Sequence, residues 1–155
     1  MAMSSRARLV RSAILLTASL LMSGCVTTWQ VDPAVLNEVR SVGKVIGEVT
    51  YDGIWEDTND IVTTFVIDVG GKSGPDSVDR AIDLLGGRGW KALRTDLPAS
   101  VTMGSPKWGN NQLVVRPFDP REVKNKPEIE NEISRKSPDP EALVVVLAWE
   151  GASED

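Results

Sequence analysis

Residues 61–93 constrain the fold more than any other stretch of the chain. IVTTFVIDV (61–69) is β-branched and nearly continuous, as a strand covered on both faces would be. GGKSG (70–74) follows, then PDSVDRAIDLL (75–85), where Val78, Ala81, Ile82 and Leu85 fall on one stripe of a helix. Ser73 can cap that helix, Pro75 suits its first turn, and Asp76 and Asp79 complement its positive end. Gly86 and Gly87 are the expected stop, because glycine takes the left-handed conformation at little cost. GWKAL (89–93) then starts another strand. This order predicts a β-α-β unit, right-handed and parallel.

The rest of the body fits around that unit. Asp32 and Pro33 open a short helix over 33–41, with Leu36 and Val39 facing inward. In 42–55, Gly43 and Gly47 weaken a helix, whereas Val45, Val49 and Tyr51 fit one face of a strand. Residues 100–103 and 112–118 predict a hairpin across a loop holding Pro106, Trp108 and Gly109. Pro117 makes its second arm an edge strand or ends its pairing early. Asp119-Pro120-Arg121-Glu122 has the spacing of a capped turn, and a short helix follows over 127–135 with Ile129 and Ile133 one turn apart. ALVVVLAW (142–149) is the most apolar run of the body and predicts a central strand; the acidic tail 150–155 should fray. The expected architecture is α+β, with a single mixed sheet of four to five strands and one main helix, 75–85, packed on one face.

The first 25 residues stand apart. RARLVRSAILLTASLLMSGC (6–25) has the three parts of an export signal: a basic start (Arg6, Arg8, Arg11), an apolar middle and small residues at the end. The apolar run, 13–22, is about half the roughly twenty residues that a bilayer span needs. Met22-Ser23-Gly24-Cys25 resembles the lipobox of bacterial lipoproteins. In that family the cysteine sulfur receives a diacylglycerol, a peptidase cuts just before it, and the freed amino group can be acylated too, typically with palmitate. Met22 departs from the family's usual leucine. The resemblance implies a signal peptide over 1–24, a lipid on Cys25, a membrane tether over 25–32 and a single domain over 33–155. It implies a lipid-anchored protein on the outer side of the cytoplasmic membrane or at the cell surface. Two acyl chains hold a protein stably where one holds it only marginally.

Composition narrows the function. The chain has 17 basic and 22 acidic residues. Loss of 1–24 removes three arginines and no acid, so the remaining 14 basic residues leave a net charge of −8. Such a body suits neither nucleic acid nor an anionic lipid surface. The chain has no histidine, and Cys25 is its single cysteine. A histidine-based triad, a cysteine nucleophile in the exported body and a zinc site of histidine or cysteine are therefore excluded within this chain. No cofactor is expected.

The partial motifs read as ordinary surface. GGKSG lies where phosphate-binding loops lie, but the glycine required five residues before Gly71 is Val66. Ser41-Val42-Gly43-Lys44 matches S-x-x-K without its partner motifs S-D-N and K-T-G. Asp52, Glu56, Asp57 and Asp60, with Asn59, are candidates for calcium in an otherwise solvated acidic turn, without the EF-hand spacing. Glu56 with Asp60, or Glu128 with Glu132, could serve acid–base chemistry only by facing each other across a cleft. Of the five tryptophans, Trp90 and Trp149 are expected in the core. Trp55 and Trp108, near loops, are candidates for stacking on a sugar or anchoring a protein, and Trp29 could rest at the lipid interface. The expected role is a non-catalytic binding or interaction module with an envelope protein or glycan as partner. A carboxylate-based envelope glycan hydrolase and a calcium-dependent binding module are the alternatives.

Overall fold

A computed structural model of the protein describes residues 30–55, 58–96, 100–123 and 126–151. Cys25, Trp29, Glu56 and Asp57 lie outside them, as do the side chains of Trp55 and Asp60. The elements run α1 (Pro33–Arg40), β1 (Lys44–Trp55), β2 (Thr58–Asp68), α2 (Gly74–Gly86), β3 (Lys91–Asp96), β4 (Ser100–Gly104), β5 (Asn111–Pro117), α3 (Pro127–Lys136) and β6 (Val144–Glu150). Single 3₁₀ turns, Pro120–Glu122 and Pro140–Ala142, flank α3.

The fold is α+β, and the sheet is larger than expected. It has six strands in the order β1-β2-β6-β5-β4-β3, and every neighbouring pair is antiparallel. The expected mixed sheet is thereby corrected. β2 and β3, joined through α2, do run in the same direction, but β6, β5 and β4 lie between them. Sequence order puts the two strands on one unit; pairing energy places the apolar β6 at the centre, between β2 and β5. β5 is interior, so Pro117 marks no edge. Its pairing with β4 stops at Val115, while the pairing with β6 continues to Pro117.

The caps explain the element limits. Asp32 Oδ1 accepts from the Ala34 amide at 2.8 Å to start α1, and Ser73 Oγ accepts from the Asp76 amide at 3.4 Å to start α2. α2 ends differently from the expectation. Gly87 keeps a right-handed φ of −62°, and the left-handed residue is Gly89 (φ 93°). The amides of Gly89 and Trp90 donate to Gly86 and Leu85 carbonyls, the paired bonds of a Schellman motif. Trp90 is thereby turned back over Leu85 into the core.

Both sheet faces carry helices: the main helix packs on one face as expected, and the short helix expected over 127–135 packs on the other. Alternation along β6 sends Val144, Val146 and Ala148 to one face and Val145 to the other. α1 and α2 cover the first face with Val35, Val39, Val78, Ala81 and Leu85, over Phe65, Ile67, Met103, Leu113 and Val115. On the opposite face α3 sets Ile133 and Ile129 against Ile46, Val66, Phe118, Val123 and Val145. A bulge between Val45 and Gly47 brings Ile46 to that second face. The body already includes Val31, which is 2% exposed, and the Asp32 amide donates to Asn111 Oδ1 at 3.1 Å.

Candidate functional site

The second face is only half covered. α3 lies over the β1-side part, and between its N-terminal half and β1 runs a trough of about 510 Å³ lined by Gly47, Glu48, Val49, Lys126, Pro127, Glu128, Ile129 and Glu132. It meets an inner cavity of about 150 Å³, with Gly47, Val49, Lys126 and Ile129 common to both. The inner walls are Val66, Phe118, Val123, Val145 and Leu147, with Tyr51, Thr64 and Arg116 as polar members. Among the described residues no carboxylate lines this inner part. Thr64 is part of its wall, and Thr64 Oγ1 is buried without a hydrogen-bond partner among the described residues. Every other buried side-chain N or O of the described residues has one. Towards the outer end, Tyr51 is 42% exposed, and Leu147 and Trp149 are half-buried.

Gly47 keeps this space open. A Cβ there would touch only Ile129 Cγ2 at 3.6 Å, so larger side chains would grow into the trough. Glu128 and Glu132 of α3 stand along it; Glu48 of β1 borders it, but its carboxylate is turned to α1 on the other face of the sheet. Glu48 is held by Arg40 through two bonds of 2.6 and 3.0 Å. Glu132 is bound by Arg135 and Lys136, each at 2.6 Å. The Lys136 hydrogen bond outweighs partial burial and holds the Glu132 carboxyl below the ordinary glutamate range. A glycosidase acid needs the opposite shift, so Glu132 is a poor proton donor here.

The most specific polar cluster is elsewhere. Glu38 of α1 accepts from Trp90 Nε1 at 3.0 Å, Trp108 Nε1 at 2.9 Å and Lys107 Nζ at 2.7 Å. Lys107 Nζ also sits 4.3 Å above the Trp108 ring. Burial alone would raise the Glu38 pKa; the bonds from Lys107, Trp90 and Trp108 outweigh it and the net shift is downward. The cluster clamps α1 to the turn after α2 and to the β4–β5 loop. Trp108 is thus half-buried, with its indole N–H committed inside the molecule. Trp90 is core as expected, at 2% exposed, whereas Trp149 is only half-buried.

The other motifs resolve plainly. In GGKSG the Gly70 amide donates to Asp68 Oδ1 and the Lys72 amide to Asp76 Oδ2, so the protein's own carboxylates occupy the donors an anion would need. Gly71 is there for contact: a Cβ would come within 2.8 Å of the Ser77 backbone. Ser41 Oγ donates to the Glu38 carbonyl and Lys44 Nζ to the Lys136 carbonyl, so the two make no nucleophile–base pair. Asp52 is exposed on β1; its proposed calcium partners Glu56 and Asp57 lie outside the described residues. Among the described residues no three acidic side chains converge as metal ligands, and no helix is long and apolar enough to cross a membrane.

Thr64, Arg116, Lys126 and Gly47 carry no sequence motif. The one available signal was Gly47, a glycine inside a strand pattern, which marks either a bulge or a place where something approaches closely. The chain matches no family model, no curated protein and no solved structure.

Proposed function

We propose that the protein is an exported lipoprotein, held at the outer side of a membrane by acyl chains on Cys25, and that it works there as a non-catalytic binding module. The observation that carries this reading is the signal over 6–25, followed within six residues by the folded body. Val31 is buried, so the body begins within six residues of Cys25. At about 3.4 Å per residue, six residues reach at most roughly 20 Å. The domain therefore works close to its membrane.

The binding surface in this reading is the trough between α3 and the sheet. Three features support it: an open sheet half with exposed Tyr51, a cavity with a small number of placed polar groups, and a buried hydroxyl with no partner among the described residues. The hydrolase alternative rests on Glu128 and Glu132 along the same trough, and the cations on Glu132 weigh against it. Metabolic labelling with a palmitate analogue, comparing wild type with Cys25→Ala, tests the anchor. The wild type takes up label in the membrane fraction and the variant takes up none. Equal labelling of both, or an unlabelled wild type that keeps residues 1–24, rejects the anchor.

A further inference from the structure

We infer that the inner cavity of the trough receives the head of a single-chain aliphatic carboxylate, with the chain lying along β1 under α3. The inference rests on the trough being the binding surface. Charge argues for the head. In a body with a net charge of −8, the described lining of this cavity holds Arg116 and Lys126 and no carboxylate. Arg116 also acts on Asp119, helping to hold that carboxyl below its usual range behind the larger effect of Arg121. Lys126 is exposed at the cavity rim, and the Thr64 hydroxyl of its wall has a donor to offer. One carboxylate can accept from hydroxyl and cations together, which satisfies the buried Thr64 oxygen.

The walls argue for the tail. Val49, Val66, Ile129, Val145, Leu147 and Phe118 offer an apolar bed, and Gly47 leaves the width for a chain. The mouth argues for a single charge. Glu128 and Glu132 of α3 stand along the outer trough, so a second anionic group on the ligand would meet like charge. The site thus selects a monocarboxylate over an alcohol, an amine or a dicarboxylate of equal length.

The test uses the full lipoprotein in phospholipid nanodiscs, photolabelled with a diazirine-bearing decanoate, with adducts located by peptide mass spectrometry. Adducts are expected on peptides bearing Val49, Tyr51 or Leu147. Octanoate should suppress them, while octanol, octylammonium and octanedioate should each be about tenfold weaker, the worth of one charge-assisted hydrogen bond. Lys126→Gln, at an exposed position that leaves the core intact, should weaken octanoate competition about tenfold, and Thr64→Val should weaken it less. Octanol competing as well as octanoate, or Lys126→Gln changing nothing, overturns the carboxylate while the trough stands as a site. Adducts confined to other surfaces, with none of the four competitors acting at the trough, overturn the trough itself.

Discussion

Thr63 and Thr64 are neighbours on β2, and they point to opposite faces of the sheet. Thr63 is 2% exposed on the face closed by α1 and α2, and its hydroxyl shares a 3.0 Å hydrogen bond with Thr50. Thr64 faces the trough, and its buried oxygen has no partner among the described residues. The contrast extends to the whole sheet. The first face is finished: Leu113, Val115, Phe65 and Ile67 are fully covered, and Glu38 ties down the periphery. The second is closed only where α3 and the segment before it lie, and is left apolar and half-open beyond. Packing complete on one side and incomplete on the other separates the part that holds the fold from the part available to a ligand.

Substitutions can break that comparison. The largest difference should come from deleting equal volumes on the two faces. Leu113→Ala, fully buried on the closed face, should cost about 3 kcal/mol, lowering the melting temperature by roughly 10 °C. Leu147→Ala, half-buried on the open face, should cost less than about 1 kcal/mol. Equal losses in thermal unfolding would mean that the second face is as tightly packed as the first.

The Glu38 clamp gives the next effect. Glu38→Ala removes three hydrogen bonds, leaves two indole N–H groups to find water, and should cost about 2 kcal/mol, with a red shift of tryptophan emission. The clamp also makes stability depend on pH. Its carboxyl is held below the ordinary range, so its contribution is complete above the unfolded-state pKa and is lost as pH falls through the lower folded value. Wild type should lose stability in that acid window by more than Glu38→Gln does. Parallel pH curves for the two would remove Glu38 from the closed face's support.

Much of the scaffold was legible because it is local. Asp32, Ser73 and the proline positions fix helix starts, and the apolar run ending in Trp149 is the central strand as its composition indicates. What was illegible is the consequence of pairing between distant segments. The parallel β-α-β expectation came from chain order alone, and chain order cannot show that three later strands insert between β2 and β3. Glu38 meets Trp90 and Trp108 across 52 and 70 residues. The trough needs β1, β2, β5 and β6 in register before Thr64 and Arg116 share a cavity. Gly89 was missed for a smaller reason: two earlier glycines offered a stop, and the helix ran through the first of them.

The smallest effects decide the central claim, that the second face is left unfinished for a ligand. The most direct measurement is unfolding of Thr63→Val and Thr64→Val side by side, without added ligand. Thr63→Val should lose about 1 kcal/mol with its hydrogen bond to Thr50, whereas Thr64→Val should gain up to about 1 kcal/mol by removing a buried oxygen that has no partner among the described residues. Opposite signs are the predicted result; a Thr64→Val that is destabilised as much as Thr63→Val would show that the fold itself uses that hydroxyl.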